Sequence, residues 1–182
     1  MILGLVAALA AAHAAPQAKP DEAAIRGMVR AAYATYANPD ATPGPELRQT
    51  ARLDATRKQC AAMQTKIDAV DGDGSSLGEC SEEYDMLCQC QDTGDVNWAK
   101  IGVAVRFPAA DRAEAVLTFK RGGSPNLKLV FARTTTGWVV DDYWEYGIGA
   151  DGGEASYRKR LTSYIGKARS RLKLAPWTPP AL

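Results

Sequence analysis

Between residues 101 and 142 the apolar side chains stop recurring every three or four positions and recur every second one. That switch constrains the fold more than any other feature of the chain. Ile101, Val103, Val105 and Phe107 form one alternating run. Ala113, Ala115, Leu117 and Phe119 form a second, Leu127, Leu129 and Phe131 a third, and Trp138, Val140 and Asp142 mark a fourth. Alternation places successive residues on opposite faces of a strand, so each run buries one face only. The runs are separated by Pro108-Ala-Ala-Asp-Arg112, Arg121-Gly-Gly-Ser-Pro125 and Thr135-Thr-Gly137. Connections this short join adjacent antiparallel strands, because a parallel crossover needs a dozen residues or more. The pattern predicts a four-stranded meander.

Helical spacing governs the rest. Ile25, Met28, Val29, Ala32, Tyr33 and Tyr36 lie on one face of a helix that Asp21 can cap. Asn38-Pro-Asp40 and Pro43-Gly-Pro45 end it. Leu53, Thr56, Cys60, Met63, Ile67 and Val70 step along a second helix over 46–70, and Asp71-Gly-Asp-Gly-Ser-Ser76 breaks it. A short helical or irregular piece covers 81–92. From Glu154 a last helix presents Tyr157, Leu161, Tyr164, Ile165, Ala168 and Leu172 on one side. Each helix has a single apolar stripe to bury, so the helices must cover one face of the sheet. The expected class is α+β: N-terminal helices packed on a curved four-stranded antiparallel meander, with a C-terminal helix. No internal repeat or second domain interrupts it.

The N-terminus reads as an address. Residues 2–12 are uninterruptedly apolar, and Ala12-His13-Ala14 fits the small-x-small rule for signal peptidase. No Lys or Arg precedes the run. It is shorter than the roughly 20 apolar residues that span a bilayer. The expected division is a signal peptide over 1–14, a tether over 15–20, one domain over 21–174 and a Pro-rich tail over 175–182. Export, to the periplasm or beyond the cell, then interprets the four cysteines, Cys60, Cys80, Cys88 and Cys90, as two disulfides. A bridge between Cys88 and Cys90 would span one residue and strain the bond geometry. Cys60 is therefore expected to pair with Cys88 or Cys90, and Cys80 with the other. The paired Cys-x2-4-Cys units of structural zinc sites are absent.

Three stretches in fixed order carry a family resemblance. Tyr84-Asp-Met-Leu-Cys-Gln-Cys-Gln-Asp92 resembles the Tyr-Asp-Pro-Phe…Gln-Asp stretch of an exported bacterial family called domain of unknown function 3828. Gly137-Trp-Val-Val-Asp-Asp142 resembles its Gly-Trp-Arg-Ile-Asp-Asp strand, and Ser156-Tyr-Arg-Lys-Arg-Leu161 resembles its Ser-Leu-Arg-x-x-Leu helix opening. The resemblance spans roughly residues 21–171. It implies a cone of curved sheet around helices, similar to the cystatin-like fold of nuclear transport factor 2, and an exported protein. Some related exported proteins are immunity proteins that bind and block an amidase toxin. Met86 stands where that family usually has Pro, and cysteines flank Gln89.

Several chemistries are poorly supplied. The single histidine, His13, lies in the expected signal; once it is cleaved, Ser-His-Asp and Cys-His catalysis and histidine-ligated zinc are excluded. No dinucleotide or P-loop motif is present. Read as a calcium loop from Asp71, the 71–82 stretch offers Asp73, Ser75 and Glu82 but has Ser76 where the turn requires Gly. The formal charge of +1 gives no global argument for nucleic acid. Carboxylates and phenols remain. A cone pocket would be lined by Tyr84, Asp85, Asp92, Asp141 or Asp142, and Tyr143. Alternation puts Asp141 and Asp142 on opposite faces, so at most one points inward, and Asp142 is expected to cap a loop or pair with Arg158. Trp144 and Tyr146 share the Asp142 face and suit a binding surface. The expectation is a non-catalytic binding domain for a protein partner, with no cofactor or metal and no membrane span after cleavage. A small-ligand or carboxylate-dependent enzyme is the alternative, and a structural envelope protein the third.

Overall fold

The computed structural model describes residues 18–38, 40, 47–71, 80, 86–88, 96–119, 126–147 and 153–182. Helix α1 (Ala18–Ala32) continues after a kink at Tyr33 into the single turn α2 (Ala34–Ala37), and α3 spans Ala51–Asp71. A 3-10 turn at Trp98–Lys100 leads into β1 (Gly102–Ala109), β2 (Arg112–Thr118), β3 (Leu127–Thr134), β4 (Gly137–Tyr146) and β5 (Glu154–Ser156), and α4 (Tyr157–Arg171) closes the fold. The class is α+β, with an antiparallel sheet in the order β1-β2-β3-β4-β5.

The sheet has five strands where the alternation predicted four. Glu154-Ala-Ser156 is too short to show a period of its own, and the sequence merges it with the helix that follows. It pairs with residues 144–146 of β4 before the chain turns into α4. Ser156 is both the last strand residue and the helix cap, its hydroxyl accepting the Lys159 N–H at 3.0 Å.

The other half of the same β4 edge is closed from the opposite end of the chain. Thr50 N–H donates to the Val140 carbonyl, and Val140 N–H donates to the Arg48 carbonyl, both at 2.8 Å. Thr50 then caps α3, its hydroxyl accepting the Leu53 N–H. This cap sets the start of α3 at Ala51 rather than near residue 46.

One face of the sheet carries the core. Ala113, Ala115 and Leu117 of β2, Leu127, Leu129 and Phe131 of β3 and Val140 of β4 are fully buried. Against them lie Ile25, Val29 and Tyr33 of the N-terminal helix, Leu53, Cys60 and Met63 of α3, and Leu161 and Ile165 of α4. A large apolar side chain buried this completely contributes about 1.5–3 kcal/mol. Tyr33, Tyr36, Trp98 and Phe119 form an aromatic cluster with ring centroids 5.1–6.1 Å apart. The α3 stripe ends one step early: Val70 is 64% exposed.

The disulfide expectation needs correction. Cys60 pairs with Cys80, with 5.4 Å between their Cα atoms. Cys60 faces inward from α3, and the chain returns Cys80 to the same buried place. Cys88 is also disulfide-bonded, while Cys90 and residues 1–14 lie outside the described residues. Among the described residues no helix is long and apolar enough to cross a membrane.

Candidate functional site

The strict alternation of β4 fails at one point, and the candidate site is there. Val130 stands opposite Asp142 and Phe131 opposite Val140, which leaves Asp141 as an extra residue with no cross-strand partner. This is a β-bulge, and it undoes the two-residue period that separates neighbouring side chains. Asp141 and Asp142 are consequently both buried, at 2% and 3% exposure, and line one groove instead of opposite faces.

Each carboxylate holds the N-terminus of a helix. Asp141 accepts the Thr50 hydroxyl at 2.9 Å and Arg52 Nε at 3.2 Å, and a second Arg52 nitrogen completes a fork. Arg112 donates at 3.2 Å from β2, and the Arg158 guanidinium stands 3.7 Å away. Burial alone would raise the pKa of the Asp141 carboxyl. The hydrogen bonds from Arg52 and Thr50, with the charges of Arg52 and Arg158, outweigh burial and hold it below the ordinary carboxylate range.

Asp142 accepts the backbone N–H groups of Tyr143 and Arg158, both at 2.9 Å, and the Ser156 hydroxyl at 2.5 Å. It therefore caps α4 through the Arg158 backbone, while the Arg158 side chain turns to Asp141. Burial prevails here and raises the pKa of Asp142, although the Ser156 and backbone hydrogen bonds act in the opposite direction.

The groove beside this doublet has a volume of about 300 Å³. Arg52, Arg112, Lys128, Arg158 and Lys159 reach it, against three carboxylates, Glu114, Asp141 and Asp142. Trp144, Val130 and Pro108 supply its apolar surface. Lys128 Nζ lies 4.2 Å from the Trp144 ring centroid and Lys159 Nζ 5.7 Å from it, a cation–π arrangement on a partly exposed ring. Lys128 also pairs with Glu154 at 2.8 Å, and Glu114 with Arg106. Tyr146 stands at the end of this strand; burial and then the charge of Glu154 raise its pKa. A second cavity of about 180 Å³ adjoins the disulfide and is lined by Asp54, Arg57, Lys58 and Tyr157.

Of the residues singled out in the sequence, Asp142 and Trp144 meet in the groove and Tyr146 follows them on β4. Tyr143 is on the core face, its ring edge-on to Tyr157 at 6.1 Å. Tyr84, Asp85 and Asp92 lie outside the described residues. Arg158 was expected as a partner of Asp142, and its side chain turns to Asp141 instead, while Arg52 and Arg112 were not foreseen. A signal for two of them exists: Arg52 and Arg158 sit in the first turns of their helices, where the dipole disfavours cations. A cation in that position needs an anion nearby, and Asp141 provides it.

No group of three His, Cys, Asp or Glu side chains among the described residues could hold a metal ion. No protein-family model, curated protein or solved structure matches the chain.

Proposed function

We propose that the chain is an exported, non-catalytic binding domain, and that the groove floored by Trp144 receives a protein partner. One observation carries this reading: the two carboxylates best placed for proton transfer are already engaged in holding the fold. A general base needs a lone pair aimed at its substrate. Asp141 is saturated by Thr50, Arg52 and Arg112, and Asp142 by Ser156 and two backbone N–H groups. Beside them lie cationic side chains and a partly exposed tryptophan, a composition suited to recognition.

The Cys60–Cys80 bridge and the apolar 2–12 run followed by Ala12-His13-Ala14 support export. The antiparallel meander with helices α1, α3 and α4 against it supports a cone-like fold and the likeness to domain of unknown function 3828. A pocket enzyme of the same fold is the rival reading.

A photo-crosslinking amino acid placed at Tyr146 or Trp144, in the cell that makes the protein, tests the proposal. Protein adducts should form at these positions and not at the exposed control Val70. Their absence at both groove positions would refute it.

A further inference from the structure

We infer that the groove takes an acidic segment of its partner, with a carboxylate docking among Arg112, Arg158 and Lys159 beside Trp144. This rests on the protein-binding reading above and specifies its chemistry. The first argument is one of unequal numbers. A carboxylate offers about four acceptor positions, and Thr50, Arg52 twice and Arg112 take those of Asp141. Arg158 is left at 3.7 Å, beyond hydrogen-bond reach, and its Nε–H is buried with no acceptor among the described residues. Three guanidinium groups thus share one carboxylate, and the surplus positive charge lies along the groove wall.

The second argument is local. Arg158 and Lys159 both occupy the first turn of α4, which has no acidic residue. Two cations at the positive end of a helix dipole repel it and each other. Asp142 already caps this helix end and Asp141 faces Arg158, so what an anion entering the groove relieves is the repulsion between Arg158 and the exposed Lys159.

The third argument selects the anion. Guanidinium forks suit carboxylate and phosphate alike. Five basic groups against three carboxylates leave a small surplus, and the carboxylates themselves line the groove. A dianionic phosphate would sit against those carboxylates, whereas singly charged side chains distribute along the wall. Val130, Pro108 and the Trp144 ring give the aliphatic part of a Glu or Asp side chain an apolar surface to cover.

The probes are an end-capped octaglutamate peptide, its octalysine counterpart, free glutamate and inorganic phosphate, followed by the Trp144 indole N–H and backbone amide signals in NMR spectra. Octaglutamate should shift Trp144, Arg112, Val130 and Lys159 saturably, and octalysine should not. Lys159→Glu reverses an exposed charge and should weaken octaglutamate binding by about tenfold or more, with the spectrum of the remaining fold unchanged. The inference is overturned if octaglutamate produces no shift, if phosphate moves the same signals at lower concentration, or if free glutamate matches the peptide per carboxylate. Adducts at Tyr146 together with no octaglutamate response would overturn the acidic segment alone. Absence of adducts overturns the protein partner, and this inference with it.

Discussion

Asp141→Asn and Asp142→Asn change the same atom in neighbouring carboxylates, yet their effects on stability should differ by about 1–4 kcal/mol. At Asp141 the substitution removes the charge that three arginines share and replaces one acceptor oxygen with a donor. Two charge-assisted hydrogen bonds are lost, each worth about 1.5–3 kcal/mol. The Arg52, Arg112 and Arg158 side chains are 20%, 30% and 24% exposed, so water recovers part of that loss. A net destabilisation of about 2–3 kcal/mol is expected, or a fall in Tm of about 4–12 °C for a domain of this size. At Asp142 the amide oxygen still accepts the Tyr143 and Arg158 N–H groups, and the Ser156 hydroxyl can turn to accept from the new amide. The charge removed is one that burial disfavours, so the change should lie within about 1 kcal/mol of zero.

Proton linkage separates the two further. The folded pKa of Asp141 is lowered, so its contribution is complete above the unfolded value of about 3.9 and is lost as pH falls through the folded one. The folded pKa of Asp142 is raised, so its contribution is complete below the unfolded value and is lost as pH rises through the folded one. The deficit of Asp141→Asn should therefore narrow in acid, while Asp142→Asn should gain on the parent as pH rises from acid towards neutrality. Urea unfolding followed by tryptophan fluorescence at a series of pH values measures both. A larger loss at Asp142 than at Asp141 at pH 7 would refute the assignment of roles.

Three further outcomes test the fold around the groove. Joint replacement of Cys60 and Cys80 by Ser opens a bridge between residues 20 apart and should cost about 3 kcal/mol by loop entropy, read as a lower urea midpoint; unchanged stability would argue against the bridge. Tyr33→Phe removes the hydroxyl that donates to the Leu87 carbonyl at 2.5 Å and should cost about 1 kcal/mol in thermal melts. Gly137→Ala forces a side chain onto a backbone with φ of 108° at the β3–β4 turn and should cost about 1 kcal/mol or more; a neutral result would mean that the turn relaxes.

The meander was legible because its residues alternate over complete strands, and α1, α3 and α4 because their stripes recur over several turns. β5 was not, since three residues cannot display a period. The site was half legible. Asp142 and Trp144 stand out by residue type, but alternation set Asp142 on the face of Trp138 and Val140 and apart from Asp141, because a bulge is a matter of register between two strands and leaves no mark on one strand alone. The cysteine pairing was missed for a related reason. Local strain can argue against one bridge, but only the return path of the chain brings Cys80 to Cys60 on α3.

The β4 edge closed by residues 48–50 on one half and 154–156 on the other has a consequence for assembly. Thr50 and Asp141 are 91 residues apart, so α3 is made long before the strand that anchors its first turn. The Cys60–Cys80 loop closes over a short distance and is available early, whereas the docking of both helix starts must wait until almost the whole domain has emerged. Contacts of such long range slow folding. A chain released before residue 154 would expose half an edge of β4, and β5, held in place by the helix that follows it, is the latch that completes the sheet.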